Sequence, residues 1–277
     1  MQRADLAGLL AAAGLQSRQQ LIEQLARPSI RIHTTAAAAA PGSSRLGGQP
    51  DLPAQSAWPL YQGTPMAFVA QIRLSDVSSL NDLLPHNGTL WFFYDASQRV
   101  FGDTPHDRGG WQVIYDPGEH AGPPHAAPAD LPADARFQAS AATFATELTL
   151  PVDPSAFVPD GQWSQQDQQR YETLLDHTSS PDERSTPHHR MLGHPDQIQD
   201  DMRRQCALLA HGLSDETDPA AAALLEHAND WVLLLQIDSD EQAGMRWASN
   251  GMLYYWIEQA ALQQAQFDRV WLVVQSE

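Results

Sequence analysis

A chain of 277 residues with a net charge of −18 and a single cysteine excludes several classes at once. One thiol cannot form an internal disulfide, and 34 acidic against 16 basic side chains leave too few cations to track nucleic acid or an anionic membrane surface. The length suits one large domain or two small ones and buries a core without staples.

Read from the start, Leu6 to Leu15 is an apolar stretch after Arg3, and Ala11-Ala12-Ala13 mimics a signal-peptidase site. Asp5 fits such a leader badly, so an ordinary helix over 5–13, ended by Gly14, is expected, in a cytoplasmic protein. No run approaches the ~20 apolar residues of a membrane span. Ser17 with Gln20 forms a capping-box pattern for a second helix, which Pro28 stops. Ile30, Ile32 and Thr34 alternate as a strand, and 36–44 reads as a loop. Strands are expected over 66–74, 89–94 and 111–115, with a short amphipathic helix over 76–84. Five prolines between Pro117 and Ala135 mark a surface linker. A strand over 146–150 and a helix capped by Ser164 follow, then a loop over 179–187. Asp196 is placed as the cap of a helix carrying Ile198, Met202, Cys206 and Leu209, and Asp218-Pro219 opens another. The chain closes on strands from Trp231, Met252 and Trp271, with a short helix over 259–266.

Part of this order occurs twice. Phe68-Val69-Ala70-Gln71-Ile72 with Asn87-Gly88-Thr89-Leu90-Trp91 is echoed by Leu233-Leu234-Leu235-Gln236-Ile237 with Asn250-Gly251-Met252-Leu253-Tyr254. Trp111 and Trp271 each open a third strand. Upstream, Arg45-Leu46-Gly47-Gly48-Gln49-Pro50-Asp51 is echoed by Arg190-Met191-Leu192-Gly193-His194-Pro195-Asp196. We read an internal duplication. A single α+β domain over 1–277 is expected, with largely antiparallel sheets and helices packed outside. Its half-repeats are 30–117 and 185–277, joined by 118–184. Each three-strand unit alone leaves an apolar face bare, so both halves are expected to meet in one core. The second copy is the more embellished: 43 residues separate Gly193 from Gln236, against 23 between Gly48 and Gln71.

The repeated segments also hold the candidate binding residues. Gln71 and Gln236 are costly in apolar strands unless every amide group is bonded, so they either tie a loop in place or grip a ligand. Arg45 and Arg190 offer forks for an anion, but Asp51 and Asp196 stand close enough to make each loop a structural clamp. Gly48 and Gly193 let that backbone approach a neighbour closely, and Asn250 marks a turn. The aromatic runs Trp91-Phe92-Phe93-Tyr94 and Tyr254-Tyr255-Trp256 put rings on both faces of a strand, so both faces are covered or one binds something. His188, His189, His194 and Asp196 form the one metal-like cluster, without a zinc spacing, and neither metal nor cofactor is expected. Asp238-Ser239-Asp240 starts like a calcium loop, but Ala243 and Ser249 replace the required Gly and Glu. There is no phosphate-binding loop and no nucleophile elbow, and Cys206 fits a helix core. No catalytic residue is assigned.

With these segments in this order, from about Ile30 to Gln275, the chain resembles the bacterial YwqG-like domain of unknown function. The resemblance implies an α+β fold with an internal duplication in a bacterial cytoplasmic protein. It establishes no activity. Relatives near secreted polymorphic-toxin loci imply an immunity or interaction role. The expected function is a non-enzymatic binding module, immunity-like toward a basic toxin or effector protein. The alternatives are a small-molecule-binding protein, or a hydrolase using His189, His194 and Asp196 in a cleft between the halves. The oligomeric state is not legible.

Overall fold

The protein is described here from a computed structural model that covers residues 1–277 except 38, 119–121, 159–161, 179–181, 183 and 184. Helices α1 (Arg3–Ala12) and α2 (Gln19–Leu25) lead into β1 (Arg27–Thr35). Then come β2 (Arg45–Leu46), a small hairpin of β3 (Leu60–Tyr61) and β4 (Thr64–Pro65), β5 (Ala67–Arg73), β6 (Thr89–Tyr94), β7 (Trp111–Asp116) and β8 (Ser140–Thr149). Helix α3 (Gln165–Asp176) precedes β9 (Arg190–Met191), α4 (Met202–Leu209), α5 (Ala221–Glu226), β10 (Trp231–Asp238), β11 (Met252–Glu258), α6 (Gln259–Gln263) and β12 (Trp271–Gln275).

Ten strands make one sheet in the order β12-β11-β10-β9-β1-β8-β2-β5-β6-β7. All its pairings are antiparallel, which with the helices gives an α+β fold. The long β1–β8 ladder is its spine. A first arm (β2, β5, β6, β7) and a second arm (β9, β10, β11, β12) flank it. Arg45 stands opposite Gln71 and Arg190 opposite Gln236; the register slips between Phe68 and Ala70 and again between Leu233 and Leu235. Gln71 faces Trp91 and Gln236 faces Tyr254, while Phe68 faces Phe93 and Leu233 faces Trp256. The outermost strands do not align tryptophan with tryptophan. Ile114 pairs with Trp91 and Val273 with Tyr254, so Trp111 occupies the ladder position of Val270 rather than of Trp271.

The sheet curls until its ends meet. The Trp111 and Trp271 rings touch edge-on at 4.8 Å, and the Tyr255 hydroxyl donates to the Phe93 carbonyl across the interior. One apolar cluster therefore takes side chains from both arms, including Phe92, Tyr94, Leu235 and Tyr255, and from the inward face of α4. A second cluster lies where α1, α2 and α3 cover the end of β8. A third covers the outer face of the first arm: Leu52, Met66, Phe68, Trp91 and Phe93, with Trp58 and Tyr61 packed on them.

Three expected elements differ. Residues 76–84 form turns rather than a helix, because the Asn81 side chain accepts from the backbone N–H groups of Leu83 and Leu84 and bonds the Val77 carbonyl. Helix α4 starts at Met202, capped by Asp201; the carboxylate of Asp196 is engaged by Arg190 and Gln236 and is not free to cap. Ser17 lies inside a 3₁₀ turn over Gln16–Arg18 and caps nothing. The proline-rich stretch is partly anchored: Leu131 and Ala135 are buried, and Arg136 ties the carbonyls of Pro128, Ala129 and Leu131 together. Residues 119–121 of that stretch, 38 of the first loop and most of 179–184 lie outside the described residues. No helix among the described residues is long and apolar enough to cross a membrane.

Candidate functional site

The repeated polar residues build two clamps. In the first, Gln71 Oε1 accepts from the Asp51 backbone N–H at 2.8 Å and from Trp91 Nε1 at 2.7 Å. Its Nε2 donates to the Ser43 carbonyl and to Asp51 Oδ2, both at 3.1 Å. Arg45 pairs with Asp51 and donates to the Gln49 carbonyl at 3.2 Å. In the second, Gln236 Oε1 accepts from the Asp196 N–H at 2.8 Å, and its Nε2 donates to the His188 carbonyl at 2.6 Å and to Asp196 Oδ2 at 2.8 Å. Arg190 reaches Asp196 at 2.7 Å and donates to the His194 carbonyl at 3.1 Å. Burial opposes ionisation of Asp196, but the Arg190 guanidinium, His188 and the Gln236 amide together outweigh it and hold the carboxyl well below the usual range.

Both clamps turn on two consecutive left-handed residues: Gly47 and Gly48 at φ of 62° and 74°, Leu192 and Gly193 at 61° and 73°. A Cβ on Gly48 would stand 2.7 Å from that of Ala139, and one on Gly193 only 2.6 Å from that of Ser29. Glycine is what lets each loop lie against the spine. The polar groups of Arg45, Asp51, Gln71, Arg190, Asp196 and Gln236 are thus spent largely on one another. Asn250, at φ of 46°, stands in the turn before β11 and donates to Glu277.

The histidines go separate ways. His189 is buried; the Asp238 N–H donates to its Nδ1, which leaves the proton on Nε2, facing Asp240 Oδ2 at 3.3 Å. His194 Nε2 donates to the Leu25 carbonyl at 2.8 Å, and its ring meets Phe157 edge-on. Burial pushes the His194 imidazole down to about 4, and the positive field of Arg27, Arg203 and Arg190 adds to that. Among the described residues no three His, Cys, Asp or Glu side chains group as a metal site.

Beside His194 lies a cavity of about 250 Å³ on the outer face of the second arm. Gly193 and His194 border it, and Trp231, Leu233 and Trp256 lie behind its floor, all three buried. The charged residues around it are of both signs. Arg203 is paired with Asp201, donates to Asn229 at 2.7 Å and lies 4.2 Å over the Phe157 ring. Arg27 has no side-chain partner among the described residues, and Asp153 and Asp200 complete the charged lining. Exposed Leu83 and Val152 stand at the same opening. The indole N–H of Trp256 is buried with no acceptor among the described residues.

Of the assigned candidate residues only Gly193 and His194 meet this cavity; sequence reasoning passed over Arg27, Arg203 and Trp231, and noted Trp256 only as part of an aromatic run. The available signal was the aromatic run of β11. Tyr255 faces the interior, so its neighbour Trp256 lies on the other face, where it is covered by the chain itself. The family model described as a domain of unknown function, DUF1963, matches residues 44–276. No curated protein matches the chain.

Proposed function

Since the chain belongs to the DUF1963 family, a domain of unknown function, we propose its role from its own geometry: a binding module that holds a small molecule in the cavity beside His194. The observation that carries this is a cavity lined by Pro28, Leu83, Val152, Ala156 and Phe157 together with charged groups of both signs, the mixed composition of a ligand site. Leu83 and Val152, at 40% and 42% exposure, support it, since two of the few large apolar side chains left in solvent stand at one opening. In this reading the two arms are copies of one unit, as in the YwqG-like group, in a bacterial cytoplasmic protein. The cavity opens beside the clamp of the second copy.

The test is a thermal-shift screen of small metabolites against the protein and against Ala156→Trp. Ala156 is exposed and borders the cavity, so the new ring blocks the opening without disturbing the core. A stabilising compound is expected to lose its effect on Ala156→Trp. Compounds that stabilise both proteins alike bind elsewhere and remove this reading.

A second reading, an immunity-like interaction with a basic protein, rests on the net charge of −18. It expects capture of a cationic partner whose association slows as salt shortens the Debye length, about 8 Å at physiological ionic strength. Charge reversal at exposed Asp130 and Asp134 should then weaken capture and leave folding intact.

A further inference from the structure

Two polar groups at this cavity are uncommitted. The first is Nδ1 of His194. A carbonyl oxygen only accepts, so the Leu25 carbonyl at 2.8 Å fixes the ring proton on Nε2 and leaves a lone pair on Nδ1. No described residue donates to that lone pair, although the side chain is buried, at 6% exposure. Nδ1 is not sealed within the packing either, and the space its ring borders is the cavity. Burial and the surrounding arginines hold the imidazole at about 4, so Nδ1 remains an acceptor at neutral pH.

The second is the Arg27 guanidinium, on an exposed residue without a side-chain partner among the described residues. The two groups belong to one site, because Arg27 is close enough to His194 for its charge to press on the imidazole. Arg203 and Arg190 press on it too, but Asp201 and Asp196 meet their charges. The charge left unmet at the acceptor is therefore that of Arg27. Its field favours a carboxylate and opposes an ammonium, so the donor that suits Nδ1 is a neutral one, a hydroxyl. Of the other carboxylates on the lining, Asp153 accepts from the Ser155 N–H and caps its own turn, and Asp200 is exposed. The apolar side chains of Leu83 and Val152 stand bare at the opening.

We propose that the cavity binds a small aliphatic hydroxy acid, its carboxylate on Arg27, its hydroxyl donating to Nδ1 of His194 and its hydrocarbon part against Leu83 and Val152. This rests on the cavity being the ligand site. At about 250 Å³ the space lies below the roughly 300–1,000 Å³ of sites for drug-sized ligands and suits an acid of a few carbons. The guanidinium fork matches a carboxylate with two parallel bonds, and the hydroxyl supplies the donor that Nδ1 lacks.

The experiment is calorimetric titration of the full chain with four probes: 2-hydroxy-4-methylpentanoate, 3-hydroxy-4-methylpentanoate, 4-methylpentanoate without the hydroxyl, and leucine with an ammonium in its place. The better of the two hydroxy acids is expected to bind at least about threefold more tightly than 4-methylpentanoate, with leucine weakest. Arg27→Gln should weaken the hydroxy acid and 4-methylpentanoate alike, by about tenfold or more. Arg27 is exposed, so that variant folds. His194→Gln keeps a donor for the Leu25 carbonyl but removes Nδ1, and should erase the difference between the hydroxy acid and 4-methylpentanoate. The comparison of acids on the unaltered chain tests the hydroxyl whether or not that variant folds. Equal binding of 4-methylpentanoate overturns the hydroxyl, leucine binding as tightly as the hydroxy acid overturns the neutral donor, and unchanged binding by Arg27→Gln overturns the carboxylate; all three outcomes leave a ligand cavity in place. If none of the four probes binds while a screened metabolite stabilises the protein and not Ala156→Trp, the hydroxy-acid assignment falls alone. If no compound behaves so, the cavity reading falls with it.

Discussion

At the scale of single residues, the orphaned indole N–H of Trp256 sets an unusual expectation. A buried donor without a partner is destabilising by about 1–3 kcal/mol, so Trp256→Phe removes that burden while it loses some ring area. The equivalent place in the first arm already holds Phe93. Trp256→Phe is expected to melt within about 1 kcal/mol of the parent in urea. Trp271→Phe should lose distinctly more, because the buried Trp271 N–H has a partner to lose: it donates to the Gly102 carbonyl at 3.0 Å. His194 sets a pH dependence. Its imidazole titrates near 6.5 in the unfolded chain and is held at about 4 in the folded one. Between those values the unfolded chain binds more protons, so stability is full above pH 6.5 and drains as pH falls toward 4, by on the order of 3 kcal/mol. His194→Gln keeps a donor for the Leu25 carbonyl and should flatten the melting profile over that window.

At the scale of elements, the proline-rich connection divides into two parts with different expected behaviour. Leu131 is buried in the core shared by the arms, so Leu131→Ala should lose about 2–5 kcal/mol in chemical denaturation. Shortening 123–129, where residues are exposed or half-exposed, should move the melting temperature by only a few degrees. Its prolines signalled a loop correctly but said nothing of Leu131, since a single anchoring residue has no periodicity to read. The turn over 76–84 was hidden for a related reason: Val77, Leu80 and Leu84 sit at helical spacing, yet one Asn side chain takes the backbone bonds a helix needs. The clamps were legible because arginine, glycine, aspartate and glutamine recur with nearly the same spacing, and their polar groups can satisfy one another. The cavity was not, because its lining is drawn from β1, the segment after β8, the second clamp, α4, β10 and β11, which come together only through the sheet.

At the scale of the whole molecule, the arms share one apolar cluster and close on each other through Trp111 and Trp271. The expectation is a single unfolding transition in which amides of β6 and β11 lose hydrogen-exchange protection together. Trp111→Ala should lower that one transition by about 3–5 kcal/mol without splitting it. Two separate transitions would mean that each arm is a folding unit of its own.

The central ladder pairs β1, complete at Thr35, with β8, which begins only at Ser140. On a ribosome adding about 5–20 residues per second, β1 therefore waits on the order of five to twenty seconds for its main partner. Through that interval its edge is open to other nascent chains. The strand carries Arg27, Arg31 and His33, and charged or polar residues of this kind discourage edge-to-edge pairing. The topology thus ties the yield of this protein in a cell to the rate at which the middle of its message is translated.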